Sequence, residues 1–291
     1  MLPYDERVPH ERKHTREVAL GAVDEVALRV GLNTAGAVVI AESNNTIVRL
    51  PRQGLVGKVS TSVLEGRGQA ALEREVRLGR RLADRGVPVA SPADGDLAGP
   101  HEASGTTLTF WRYVGSAERP DGGDRLLGEA VRNFHRALAD VAGELPRLAD
   151  KTALANRLLQ DEAATPALAP AERELAGRAY DRLMCLVESL THSTALHGEP
   201  HDGNIVWTAA GPVLLDFEAA CQGPREWDLS YLPAGALSVF AGRDDGTIAM
   251  LRGGLSFCVA AWCLATRDPT PAVAEAANIH WNALGRSWLA R

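Results

Sequence analysis

The chain of 291 residues is 45% hydrophobic and 23% charged, a balance that excludes a disordered or fibrous protein and leaves room for two lobes or domains. Its formal net charge of -6 and the absence of a basic stripe exclude a nucleic-acid binder, because affinity for a phosphate backbone comes from clustered Lys and Arg. The charged N-terminus MLPYDERVPHERKHTREV, an apolar run from Gly253 to Ala265 too short to cross a bilayer, and cysteines (Cys185, Cys221, Cys258, Cys263) without a CxxC pair predict a cytoplasmic protein with no membrane partner.

Val18, Ala22, Val26 and Val30 recur at helical spacing and predict an amphipathic helix over 15–30. Three strand-like runs follow, AVVIAE (37–42), TIVRL (46–50) and LVGKVS (55–60). Ser43-Asn44-Asn45 and Pro51 to Gly54 are the turns between them, so an antiparallel meander is expected. Residues 67–85 are rich in Ala, Leu, Glu and Arg and read as a helix stopped by Gly86. A Pro- and Gly-rich loop covers 91–105, and TLTFWRYV (107–114) is a further strand.

From Pro120 the pattern turns helical, with candidates over 124–142, 151–164 and 170–190. Two short apolar strands, IVW and VLLDF, come next, and the rest is mostly helix to Arg291. The expected class is α+β: an N-terminal lobe over 1–114, built of a small antiparallel sheet and a helix, and a larger, mainly helical C-terminal lobe over 115–291. One bias bears on chemistry: of 31 basic residues only Lys13, Lys58 and Lys151 are Lys, so each Lys invites a special reason.

The stretch TALHGEPHDGNIVW (194–207) concentrates polar groups. His197 and His201 have the spacing of two zinc ligands on a helix, but Pro200 between them breaks that helix and excludes the reading. Downstream, Ile205 to Trp207 and Val213 to Leu215 flank a loop suited to a hairpin. If the hairpin is symmetric about Ala210, Asn204 faces Asp216, with their Cβ atoms ~5 Å apart. An amide oxygen and a carboxylate so placed suit Mg2+; the alternative is that Asn204 caps the turn and Asp216 begins a loop.

The pattern H-G-E-P-H-D-G-N followed by L-L-D-F resembles the paired signature of aminoglycoside phosphotransferases and the wider family of small-molecule kinases with a protein-kinase-like fold. The resemblance gives Glu199 the place of the catalytic carboxylate, and Asn204 and Asp216 the places of the Mg2+ ligands. His201 would donate to a phosphate oxygen or the loop backbone, and His197 would hold the loop. Asp228, in REWDLSYL, would cap a helix beneath the loop or hold the loop itself. Lys58 would be the strand cation on the phosphates, held by Glu75, with Glu73 as rival.

Ser43, Asn44 and Asn45 sit where the phosphate-covering loop belongs. Backbone groups around Trp111, Tyr113 and Val114 would meet the adenine. Two departures stand out. Glu199 replaces the usual Asp, and Asp202 replaces a usual Pro, as an Asx turn before Gly203, a second acidic group or the base in place of Glu199. The implied activity is transfer of the γ-phosphoryl of ATP (or GTP), with Mg2+, to a hydroxyl of a small molecule. That acceptor is an antibiotic such as an aminoglycoside, or a sugar, amino alcohol or other metabolite. The reading from another class is a nucleotide-binding pseudokinase that acts as an interaction module.

Overall fold

The computed structural model describes residues 10–42, 45–60, 69–266, 269 and 271–284. In chain order its elements are α1 (His10–Val30), β1 (Val38–Glu42), β2 (Asn45–Leu50), β3 (Leu55–Ser60), α2 (Gln69–Asp84), β4 (His101–Ala103), β5 (Thr106–Arg112), α3 (Gly123–Ala137), α4 (Leu148–Gln160) and α5 (Pro170–Ser189). They continue with β6 (Thr194–Leu196), β7 (Ile205–Thr208), β8 (Gly211–Leu214), β9 (Cys221–Gly223), α6 (Glu226–Leu229), α7 (Ala234–Leu237), α8 (Asp245–Leu264) and α9 (Pro271–Ala283). The class is α+β, as expected. The chain divides into two compact units, Met1–Arg119 with Ile205–Glu218, and Pro120–Asn204 with Ala219–Arg291.

In the first unit the sheet has the order β1-β2-β3-β5-β4, antiparallel throughout. The turn residues Ser43 and Asn44 lie outside the described residues. α1 buries Ala19, Ala22, Val23, Val26 and Ala27, whereas Val30 is exposed, so the buried stripe is rotated from the expected one toward small side chains. That small face allows close approach to β3, where a Cβ on Gly57 would come within 2.9 Å of Val23 Cγ2. α2 buries Leu72, Glu75, Val76, Leu78 and Leu82, an apolar stripe that contains one acidic residue.

β4 lies inside the stretch expected to be loop. Its two-residue link to β5, Ser104 and Gly105, has φ of 51° and 74°, the double left-handed conformation that favours hairpins.

The hairpin β7–β8 belongs to the first unit although it follows the helices in sequence. Leu214 N donates to Pro88 O at 2.8 Å, Ala90 N donates to Leu214 O at 3.0 Å, and Ala117 N donates to Trp207 O at 2.7 Å. These bonds carry the unit past the expected division at 114 and add a segment from beyond it. The register also differs from expectation. Ile205 pairs with Leu214 and Thr208 with Gly211, so the ladder is symmetric about the Ala209–Ala210 bond rather than about Ala210. The Thr208 hydroxyl closes this tighter turn, accepting from Ala210 N at 3.2 Å and donating to Gly211 O at 2.9 Å. Asp216 is therefore not the opposite number of Asn204 by register.

In the second unit α4, α5, α8 and α9 enclose a core that includes Leu148, Ala155, Leu159, Ala176, Leu183, Phe257, Ala260 and Ala261. The expected apolar run is part of α8, which Asp244 starts earlier by accepting from Gly246 N at 2.9 Å and Thr247 N at 3.2 Å. The 20 residues of α8 are long and apolar enough to cross a membrane by composition, and half of their most apolar window is buried inside the unit, as in a core helix. The short strands β6 and β9, which periodicity did not reveal, pair antiparallel beside this core.

α3 meets α7 at Gly128, where a Cβ would overlap the carbonyl oxygen of Ala236. In an open helix Gly→Ala stabilises by ~1 kcal/mol. Here Gly128→Ala is expected to destabilise by ~1–3 kcal/mol, read as a lowered melting midpoint, because the clash is with backbone.

Candidate active site

Lys58 stands mid-strand on β3, opposite Ile47 on one side and Thr109 on the other, and is only 5% exposed. An ammonium at that depth needs counter-charge. Glu75, on the buried face of α2, accepts at 2.7 Å, Asp216 at 2.8 Å, and Glu218 lies 3.2 Å away. Burial works against the charge of Lys58, but Asp216, Glu75 and Glu218 outweigh it and hold the amine above its ordinary value. Glu73 is exposed and bonded to Gln69.

The three carboxylates lie within 4.8 Å of one another and outnumber the Lys58 ammonium that they surround. The excess is visible at Glu75, whose carboxyl is pushed up to about 7, chiefly by burial, with Asp216 and Glu218 adding to the rise that Lys58 opposes. An all-oxygen set with surplus negative charge fits a hard divalent cation. Asp216 is the most open member, with its side chain 36% exposed, and has a left-handed backbone at φ 53°, a conformation that Asp adopts more readily than most residues.

Asn45, expected at the phosphates, is buried and donates to Glu218 Oε2 at 3.0 Å, so it orients a member of this cluster. Ser43 and Asn44 lie outside the described residues. Trp111 is buried, donates from Nε1 to Thr109 at 2.8 Å, and sits edge-on to Phe217, so its ring is part of the interior. Tyr113 donates its backbone N–H to Gly54 O at 2.8 Å, with the Arg49 guanidinium 4.1 Å above its ring.

The second unit carries the polar loop. Asp228, with 0% exposure, accepts from His197 N at 2.8 Å, from Gly198 N at 2.9 Å and from His135 Nε2 at 2.7 Å. Burial opposes ionisation of Asp228, yet these donors and the nearby imidazoles hold its carboxyl below the usual 3.8. Asp228 therefore grips the loop directly rather than capping a helix.

Gly198 has φ 92°, and a Cβ there would overlap the Ala219 carbonyl oxygen, so only glycine fits. Its carbonyl accepts from Trp227 Nε1 at 2.9 Å and from Lys151 Nζ at 3.2 Å. The same Lys151 ammonium lies 2.8 Å from Glu199 Oε1. His197 is fully buried, 5.3 Å from the Phe134 ring.

Past Glu199 the chain makes a 3-10 turn over Asp202–Asn204. The His201 ring accepts from Gly203 N at 3.1 Å, and Asn204 Nδ2 donates to the Glu199 carbonyl at 2.9 Å. Asp202 is exposed in that turn. Tyr231 lies near enough that Glu199, after burial itself, raises its hydroxyl well above the ordinary value.

Glu218, Lys151 and His135 are among the residues of these clusters that the sequence does not single out as site members. Glu218 follows Asp216 by two positions, a signal that the run VLLDF cut short. Lys151 was marked by the scarcity of Lys but given no partner. His135 meets Asp228 across 93 positions and carries no local signal.

A family model described as "Phosphotransferase enzyme family" matches residues 41–269. Among solved structures the chain is similar to an amicoumacin kinase in complex with AMP-PNP, Ca2+ and its ligand, at 13% identity and a TM-score of 0.67 over 95% of this chain and 96% of that one. It is similar to a choline kinase from Streptococcus pneumoniae at 12% identity and TM-score 0.62, over 94% and 99% of the two chains. A spectinomycin phosphotransferase in complex with ADP and spectinomycin matches at 12% identity and TM-score 0.60, over 86% and 92%. At such identities the likeness establishes the fold, which is protein-kinase-like.

Replacing Asp228 by Ala leaves two loop amides and His135 without their acceptor, and is expected to cost on the order of 3–5 kcal/mol in unfolding free energy. The sign with pH follows from the depressed carboxyl. Its contribution is fully present above the unfolded value and is lost as pH falls through the folded one, below about pH 4. Denaturant titrations from pH 6 to pH 2.5 should show a smaller acid-dependent loss in Asp228→Ala than in the wild type, since other depressed carboxyls such as Glu226 still contribute.

Proposed function

The chain belongs to the phosphotransferase enzyme family, and from that premise we propose that it moves the γ-phosphoryl of ATP (or GTP) to a hydroxyl of a small molecule. The observation that carries this reading is the buried Lys58 set among Glu75, Asp216 and Glu218. It joins a fixed cation for phosphate oxygens to a surplus of carboxylates for a divalent metal. Phosphoryl transfer passes through a loose transition state, so such positioning and neutralisation are most of what a protein contributes.

Asp216 and Glu218 would hold Mg2+, and Asn204 keeps the ligand role that the family pattern gives it. A divalent cation bound there supplies neutralisation of the phosphate charge. Lys58 steadies the α- and β-phosphates while Glu75 holds its ammonium in place. Ser43 and Asn44 keep the phosphate-contacting role that the family pattern gives them, and Asn45 steadies Glu218. Backbone groups near Trp111 and Tyr113 take the adenine. Glu199 receives the proton of the acceptor hydroxyl as the new O–P bond forms. In that loose transition state the bond from the γ-phosphorus to the bridging oxygen is already breaking as the new bond forms, and the nucleoside diphosphate leaves.

Amicoumacin, spectinomycin and choline are the first acceptors to test, since kinases and phosphotransferases of those compounds share the fold. They span an antibiotic and an amino alcohol. The test is nucleotide consumption and product mass with each acceptor, beside variants. Lys58→Ala and Asp216→Ala are each expected to lower transfer by about 100-fold or more. Glu199→Gln should lower it similarly, while Asp202→Asn leaves it within a few-fold; the reverse order makes Asp202 the base. Unchanged transfer in Asp216→Ala and Glu199→Gln would overturn these roles, whereas a wild type that binds nucleotide but transfers phosphate to no acceptor would favour a nucleotide-binding interaction module.

A further inference from the structure

Lys151 is placed against three ordinary preferences at once. The chain uses Arg almost everywhere it uses a cation. Lys151 lies in the first turn of α4 (Leu148–Gln160), the end of a helix where the backbone dipole disfavours positive charge. Its side chain is only 13% exposed, whereas lysine almost always keeps its ammonium in water. The compensation is on the neighbouring loop: Nζ lies 2.8 Å from Glu199 Oε1 and donates to the Gly198 carbonyl at 3.2 Å. Burial pulls the amine down, Glu199 pulls it up, and the net result lies above the ordinary value.

We propose that Lys151 is a positioning residue for phosphoryl transfer, anchoring the Glu199 carboxylate in its reacting orientation; the inference rests on the role given to Glu199 above. A Glu where the family pattern has Asp adds one rotatable bond between backbone and carboxylate. Left free, that bond scatters the carboxylate over several rotamers. Lys151 removes the freedom by holding a carboxylate oxygen and the preceding carbonyl with one ammonium, so the acid is fixed relative to its own backbone. Trp227 fixes the same carbonyl from a second direction. A compact ammonium meets both acceptors from a single point, which the planar guanidinium fork of Arg does not reproduce. The Glu and the Lys then form one unit: the longer acid is usable because the cation orients it.

A buried ion pair with a purely structural role would change melting when broken, but not the chemical step of the folded enzyme. The test is therefore steady-state turnover of Mg-ATP with amicoumacin, spectinomycin, choline or water as acceptor. The wild type is compared with Lys151→Met, Lys151→Arg, Glu199→Gln and Lys151→Met/Glu199→Gln, each checked for folding by its melting curve. Lys151→Met is expected to lower kcat about 10- to 100-fold with nucleotide KM within about twofold. Lys151→Arg should recover part of that loss, and the double variant should be no slower than Glu199→Gln alone, as for two residues acting together. A kcat within about twofold of wild type in Lys151→Met, or losses that multiply in the double variant, overturns the inference.

Should Lys151→Met fail to fold, amine labelling read by mass spectrometry reports the pair in folded protein, with Lys58 as internal reference. Lys151 should resist labelling in the wild type and react in Glu199→Gln. Equal labelling in both overturns the inference. Turnover that is lost in Asp216→Ala but kept in Lys151→Met sinks this inference alone, whereas turnover indifferent to Asp216→Ala, or absent from the wild type, sinks the function and the inference with it.

Discussion

An ammonium in the middle of a sheet is the constraint around which the N-terminal unit is organised. Lys58 cannot be desolvated on β3 unless negative charge comes to it, and no residue of its own strand supplies any. α2 therefore turns an acidic residue inward on an otherwise apolar face, and the segment after β8 brings two more carboxylates. Asn45 then has a reason to be buried, because it fixes Glu218 within the group. Sheet, helix and hairpin are held to one another by a charge that each would otherwise exclude.

The C-terminal unit solves a different problem with the same chemistry. A loop that must present polar side chains cannot rely on a ladder for its own amides, so Asp228 takes those of His197 and Gly198, and Trp227 and Lys151 take the Gly198 carbonyl that follows them. Gly198 is the point where those demands meet, and its backbone is one that a side chain would block. The loop is held from beneath by α6 and α4 as well as by its own bonds at His201 and Asn204. Polar groups held from several elements keep a geometry that a free turn would lose.

The parts of this arrangement written in local pattern were legible. α2 shows its helical period and its stop at Gly86, while the pairing of Lys58 with Glu75 came from the resemblance to the kinase pattern, with Glu73 as rival. The β7–β8 hairpin was legible as a hairpin but not in register. The Thr208 hydroxyl closes the turn one residue tighter than composition suggests, a side-chain contact that periodicity does not encode. β4 was hidden because a three-residue strand has too few residues to alternate, although Ser104-Gly105 carried a turn signal. The pairings of His135 with Asp228 and Lys151 with Glu199 join distant segments, and His135 and Lys151 look like ordinary helix residues until the fold brings them to their partners.

The hairpin limits how the molecule can be taken apart. Because Ile205–Glu218 belongs to the N-terminal unit, that unit is discontinuous in sequence, and the polypeptide passes from one unit to the other three times. A fragment ending at Arg119 would retain Lys58 and Glu75 but lose Asp216 and Glu218, leaving a desolvated cation with one partner of three. The N-terminal unit is thus not an excisable module. Gene fusions, exchanges between relatives or circular permutations that keep 205–218 with the sheet respect its physical boundary, and a cut at the visible change from strand to helix does not.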